Sequence, residues 1–181
     1  MGLVEPVVVL IRGINVGGRG RLPMADLRAL ATDLGYGDVA TYVQSGNLVC
    51  TTDRSADDVA DAVRAALDAA MDVSPDVMVR TGAELRGIVE RNPYAEHTDD
   101  PTRVHVAFMP GRASAQVPDV DLVALAPDEC VAIGRELYLH LPNGLGRSKL
   151  AEVVAGPKGP RPTVRNWRTV TALLALADER A

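Results

Sequence analysis

The chain sets short apolar runs against apolar stripes of helical period, and the order of these segments predicts the fold. Residues 7–11 form an unbroken Val-Val-Val-Leu-Ile run between Pro6 and a glycine-rich loop, the pattern of a strand buried on both faces. Met24, Leu27, Leu30 and Leu34 then recur at helical spacing behind Pro23 and stop at Gly35. Two strands follow, at residues 39–43 and 47–51, joined across Gln44-Ser45-Gly46 as a hairpin or sharp bend. Ser55 and Asp58 form a capping box ahead of a long helix striped by Val59, Val63, Leu67 and Met71. Residues 77–80 supply a fourth strand, completing a βαββαβ order, the ferredoxin-like pattern.

Thr81 and Glu84 cap a further helix that Asn92-Pro93 ends, and the polar residues 94–102 read as a linker. Beyond them the order partly recurs. A strand is expected at 104–109, a weak helix at 119–125, strands at 131–133 and 136–141, and a helix opened by Ser148. A last helix starts near Asn166, with Trp167, Val170, Leu173, Leu174 and Ala177 inward. The expected class is therefore α+β: a ferredoxin-like unit over residues 1–80, then a second, related α+β unit with a C-terminal helix over residues 81–181.

Composition narrows the functional classes. A net charge of -5 excludes the uniformly basic profile of a protein that coats nucleic acid, and 3% aromatic residues leave few rings to stack on bases. Charge is unevenly spread: residues 53–129 carry 7 basic and 16 acidic side chains, whereas residues 135–171 carry 7 basic (Arg135, Arg147, Lys149, Lys158, Arg161, Arg165, Arg168) and 2 acidic. That late basic stretch points to an anionic partner or to a solvated face offsetting the acidic middle. Cys50 and Cys130 lie far apart in apolar stretches and read as buried thiols. No apolar run has the length of a signal-peptide core or a membrane span, so the expected location is cytoplasmic, with no membrane partner.

Four polar segments carry the candidate chemistry. Arg12-Gly13-Ile14-Asn15-Val16-Gly17-Gly18-Arg19 links a buried strand to a helix, the setting in which backbone N–H groups cradle phosphate. It departs from a Walker A loop by continuing Arg19-Gly20 where lysine and a hydroxyl residue are required, which excludes a P-loop enzyme. Tight-turn glycines are the alternative reading. Gln44-Ser45-Gly46-Asn47 sets amides and a hydroxyl between two strands, and is equally good turn chemistry. Gly144-Leu145-Gly146-Arg147-Ser148-Lys149 places two cations at a helix start, where the dipole disfavours them unless an anion is near. Thr163-Val164-Arg165-Asn166-Trp167-Arg168 repeats that arrangement at the last helix, Trp167 reading as a core anchor. His97, His105 and His140 form no metal-ligand spacing, so no metal is expected. Alternation puts His105 away from Val104, Val106 and Phe108, and His140 away from Leu137, Leu139 and Leu141, so these two are expected to share an open sheet face.

RGINVGG followed by PMADLRAL, then TYVQSGN, LYLHLP with GLGRSKL, and TVRNWRTV resemble, in this order and over nearly the whole chain, the bacterial family of domain of unknown function 1697. The resemblance implies an α+β architecture with two ferredoxin-related subdomains and no established activity or cofactor. The chain departs from it at Cys50, where the family commonly has an aromatic residue.

The leading expectation is a site for a phosphate-bearing small molecule or nucleotide, lined by Arg12, Asn15, Gly17, Gly18, Arg19, Gln44, Ser45, Asn47, Arg147, Ser148, Lys149, Arg165 and Asn166. The alternatives are a nucleic-acid-binding module that contacts backbone phosphates, and a transferase or hydrolase acting on a phosphorylated substrate, for which the sequence offers no base.

Overall fold

The computed structural model describes residues 2–110, 114–156 and 161–181; Lys158, counted above in the basic segment, lies outside them. The apolar run 7–11 forms the middle of β1 (Glu5–Arg12) and is buried throughout. The element order continues α1 (Met24–Asp33), β2 (Gly37–Thr41), β3 (Asn47–Thr52), α2 (Ala56–Ala70), β4 (Asp76–Thr81) and α3 (Gly82–Glu90). Local chemistry fixes the ends. Gly35 takes φ +86 just past α1, so that Tyr36 N–H reaches back to Ala31 C=O at 3.1 Å, a Schellman stop. Ser55 Oγ accepts from Asp58 N–H at the start of α2, and Thr81 and Glu84 cap α3 reciprocally at 3.1 and 2.8 Å.

The first sheet is antiparallel in the order β2-β3-β1-β4, the ferredoxin-like arrangement. Val7, Val9 and Ile11 point one way from β1 and pack with Leu27 and Ala31 of α1 and with Val59, Val63 and Leu67 of α2. The i, i+4, i+8 spacing of the last three is what lays α2 along the sheet.

The second half contains β5 (Val104–Phe108), β6 (Glu129–Ile133), β7 (Glu136–His140), α4 (Lys149–Ala155), β8 (Thr163–Asn166) and α5 (Trp167–Asp178). Its sheet runs β6-β7-β5-β8, the same order as the first. The registers also correspond. Val8 pairs with Val49 and Arg80, and Val106 pairs with Tyr138 and Arg165. Ile11 N–H donates to Gly46 C=O at 2.8 Å, and Met109 N–H donates to Arg135 C=O at 3.2 Å. Buried Arg80 and half-buried Arg165 each donate Nη1 to the carbonyl of the residue before, Arg80 to Val79 at 2.9 Å and Arg165 to Val164 at 3.0 Å. The chain thus builds one four-stranded scaffold twice. Two compact units result, Met1–Gly87 with Ala172–Ala181 and Ile88–Thr171, the division falling within α3 and within α5.

Three expectations are corrected here. The weak helix at 119–125 is a series of turns, because Pro118 and Pro127 leave a segment too short and too rich in valine to sustain helix; Asp121 instead accepts from Val123 and Ala124 N–H groups. Val120, Leu122 and Leu125 from this stretch still pack on the core of Ala107, Leu137, Leu139, Leu150 and Val154. Residues 163–166 form a strand rather than the start of the last helix, since their backbone is paired with β5. Trp167 is half-buried and lies outside the apolar core, which α5 reaches through Val170, Leu173 and Ala177.

Candidate functional site

In the first unit the β1–α1 loop is held by Asn15, which is exposed and has left-handed backbone (φ +54). Asn15 Nδ2 donates to Leu22 C=O and Gln44 C=O, both at 2.9 Å, and Oδ1 accepts from Leu22 N–H at 2.8 Å. One amide thereby closes residues 15–22 into a lobe and ties it to the β2–β3 turn. Gly17 and Gly18 (φ +60 and +76) make a tight reversal in which Val16 bridges Arg19, and a side chain on either glycine would meet nothing within 4 Å. Gly20 is different: a Cβ there would lie 2.9 Å from Gly13 C=O, so only glycine lets the lobe close.

The β2–β3 turn is equally self-contained. Asn47 is fully buried and donates to Tyr42 C=O at 3.0 Å and Ser45 Oγ at 2.9 Å. Gly46 must lack a side chain because a Cβ would sit 2.7 Å from Ile11 C=O. Val43 is exposed yet held at φ +50. Arg12 is paired with Asp76 at 3.4 Å. Of the predicted residues in this unit, Asn15 and Asn47 therefore build the loops, Arg12 is ion-paired, Gln44, Ser45 and Arg19 present exposed side chains, and the open glycines, Gly17 and Gly18, lie next to Arg19.

Two cavities flank the lobe. One, of about 450 Å³, is walled by Gly18, Arg19, Gly20 and Arg21 on one side and by Ala70, Met71, Asp72 and Val73 on the other. The second, of about 470 Å³, runs between α1 and α2. Among the described residues neither the Arg19 nor the Arg21 guanidinium has a carboxylate or hydrogen-bond partner. Sequence reasoning chose Arg19 and missed Arg21; its position two residues on, across Gly20 in the same loop, was the available signal.

The second unit holds the other five candidates. Ser148 is buried: its Oγ accepts from Ala151 N–H at 2.8 Å as the cap of α4 and donates to Asp128 Oδ2 at 2.7 Å, so its hydrogen-bonding capacity is spent inside the protein. Arg147 and Lys149 flank it, exposed, and line a cavity of about 250 Å³ with Asp128 and Asn143. Asn166 Oδ1 accepts from Thr169 N–H at 2.9 Å, capping α5. Arg165 is half-buried, and desolvation pulls its guanidinium down to about 10.

The expected shared face of the two strand histidines is overturned by the register. His105 pairs with Leu139 and His140 with Val104, which puts the imidazoles on opposite faces of the sheet. Burial pulls His105 down to about 4, against a hydrogen bond with the Arg103 backbone. His140 instead stacks on His97, centroids 3.9 Å apart and planes 8° from parallel, beside Tyr94 at 5.6 Å. Its Nδ1 lies 3.9 Å from Glu129 Oε1, too far for a hydrogen bond. Burial first, then His97, lowers the His140 pKa, while Glu129 opposes. Rings stacked face to face carry their lone pairs in parallel planes, which do not converge on one ion. Among the described residues no group of three or more His, Cys, Asp or Glu side chains is placed to hold a metal.

Similarity to known proteins accords with this architecture. A family model described as "Protein of unknown function (DUF1697)" matches residues 4–138. The solved structure of the conserved bacterial protein SP0830 from Streptococcus pneumoniae aligns with a TM-score of 0.75 at 20% identity, covering 97% of this chain and 99% of that one, a likeness of fold. Comparison with curated proteins finds no match.

Proposed function

The chain belongs to the DUF1697 family of proteins of unknown function, and from that premise we propose that it binds a phosphate-bearing small molecule or nucleotide, with the Gly18–Arg21 loop of the first unit holding the phosphate. The observation that carries this reading is the pair of guanidinium groups, Arg19 and Arg21, that have no partner among the described residues, on one cavity wall built from glycines in left-handed backbone. Guanidinium groups suit phosphate through forked N–H donors, and glycine backbone lets an anion approach the main chain. Asp72 on the opposite wall limits how much negative charge the cavity takes.

The nucleic-acid reading has less support. Every residue of β3, β5 and β7 is buried, which leaves those strands no open face on which bases can stack. Titrating the protein with inorganic phosphate and with AMP, followed by amide NMR, tests the proposal. The Gly17, Gly18, Gly20 and Arg21 amides are expected to move, and an Arg19→Ala/Arg21→Ala double variant is expected to abolish the response. Silent loop amides at millimolar ligand would sink it.

A further inference from the structure

The cavity at the glycine lobe and the trough between α1 and α2 adjoin: Arg21, Ala70 and Met71 line both. A ligand seated on the guanidinium groups of the first therefore lies next to the second, with Arg21 common to both. The two ends differ in chemistry. The trough is floored by Leu22, Leu30, Leu34, Ala66 and Met71, of which all but Leu22 are only half-buried. Its rim on the α1 side carries the exposed carboxylates Asp26 and Asp33. Seven residues apart, these two fall on one side of α1 and are separated by roughly 10 Å along its axis. Inorganic phosphate fills only the cationic end and leaves the aliphatic floor bare.

We infer that the ligand is a nucleoside monophosphate, its phosphate on Arg19 and Arg21 and its nucleoside laid along the α1–α2 trough. This inference rests on the phosphate reading above and names the substrate class of the same site. Charge complementarity selects among phosphate esters. A flat apolar ring is matched by a floor of leucine, alanine and methionine side chains. Two carboxylates on the rim accept hydrogen bonds from ribose hydroxyls and base amino groups and repel a second anion, so the ligand carries its negative charge at one end only. An alkyl phosphate satisfies the floor but offers the carboxylates no donor. A long polyphosphate carries more charge than a cavity containing Asp72 accommodates.

The test is calorimetric titration of the full chain with AMP, inorganic phosphate, adenosine and octyl phosphate. AMP is expected to bind at least tenfold more tightly than any of the other three. Ala66→Glu, which puts a good helix former and a negative charge into the trough, is expected to weaken AMP at least tenfold and leave inorganic phosphate unchanged. Its melting temperature and circular dichroism verify that α2 is intact. Arg19→Ala with Arg21→Ala is expected to weaken both AMP and phosphate. If phosphate binds through the arginines but AMP binds no tighter, the nucleotide assignment is overturned and the phosphate site stands. Octyl phosphate binding more tightly than AMP, or AMP affinity that ignores Ala66→Glu, overturns it equally. Absence of binding by all four overturns both readings.

Discussion

At the scale of single residues, the polar side chains that stand out in the sequence divide by whether their hydrogen bonds are already made. Asn15, Asn47, Ser148 and Asn166 hold turns and helix starts, each partnered at 3.0 Å or closer. Arg19 and Arg21 have no partner among the described residues, and only the three-dimensional arrangement separates them from Arg12, which has the same chemistry and a carboxylate beside it. Val43 is the strained member of the β2–β3 turn: a β-branched residue at φ +50 with its side chain mostly in solvent. The left-handed conformation costs such a residue about 1–2 kcal/mol, and asparagine tolerates it. Val43→Asn is accordingly expected to raise stability by about 1 kcal/mol in urea unfolding; a loss would mean that the valine side chain contributes more contact than strain. His105 gives a pH dependence of defined sign. Its folded pKa near 4 lies below the unfolded value, so the neutral form is favoured by folding. The stabilisation is complete above about pH 6.5 and is lost as pH falls toward 4, worth roughly 3 kcal/mol at 1.36 kcal/mol per pH unit. Urea midpoints between pH 4.5 and 7.5 should rise with pH, and His105→Gln should flatten that slope.

At the scale of elements, short helices lean on their caps. α4 has seven residues, too few to persist by propensity alone. Its Ser148 also supplies the donor that satisfies buried Asp128. Ser148→Ala removes a cap worth about 1 kcal/mol and strips a partner from a buried carboxylate at about 1–3 kcal/mol. Chemical denaturation should show a loss of about 2–4 kcal/mol, against about 1 kcal/mol for Ser55→Ala at the exposed cap of fifteen-residue α2. Equal losses at the two caps would argue that the Asp128 bond adds nothing. The same contrast explains what the sequence makes legible. Apolar period, glycine stops and capping boxes are local signals, and they place β1, β3, β4, α1, α2 and α3 within a few residues. β8 is four residues containing a threonine, an arginine and an asparagine, and what makes it a strand is pairing with β5 some sixty residues earlier in the chain. Residues 119–125 have an apolar rhythm without the length to use it. Arg21 is only partly legible for a related reason: its place in the loop is local, whereas the wall of Ala70–Val73 facing it is not encoded by the loop sequence.

At the scale of the whole molecule, the negative net charge and the burial of β3, β5 and β7 bear on which partners the chain admits. Sequence-independent binding of a polyanion needs a basic face and falls steeply with salt. A gel-shift titration with single-stranded RNA is expected to show no complex at moderate salt; a complex that dissolves between low and moderate salt would restore the backbone-contact alternative. No helix among the described residues is long and apolar enough to cross a membrane. The doubled scaffold has a historical reading as well. Strand order, register, the Arg80 and Arg165 self-bonds and the Thr81 and Asn166 caps occur in both halves, as expected of an ancestor that was copied and fused to itself. What both copies retain is what any copy needs in order to fold. Among the described residues, the helix that stands between the first two strands survives in one copy only, as α1, with the trough along its flank. Among the described residues the other copy has turns where the first has that helix, so a trough of this kind, walled by α1 on one side, is formed once.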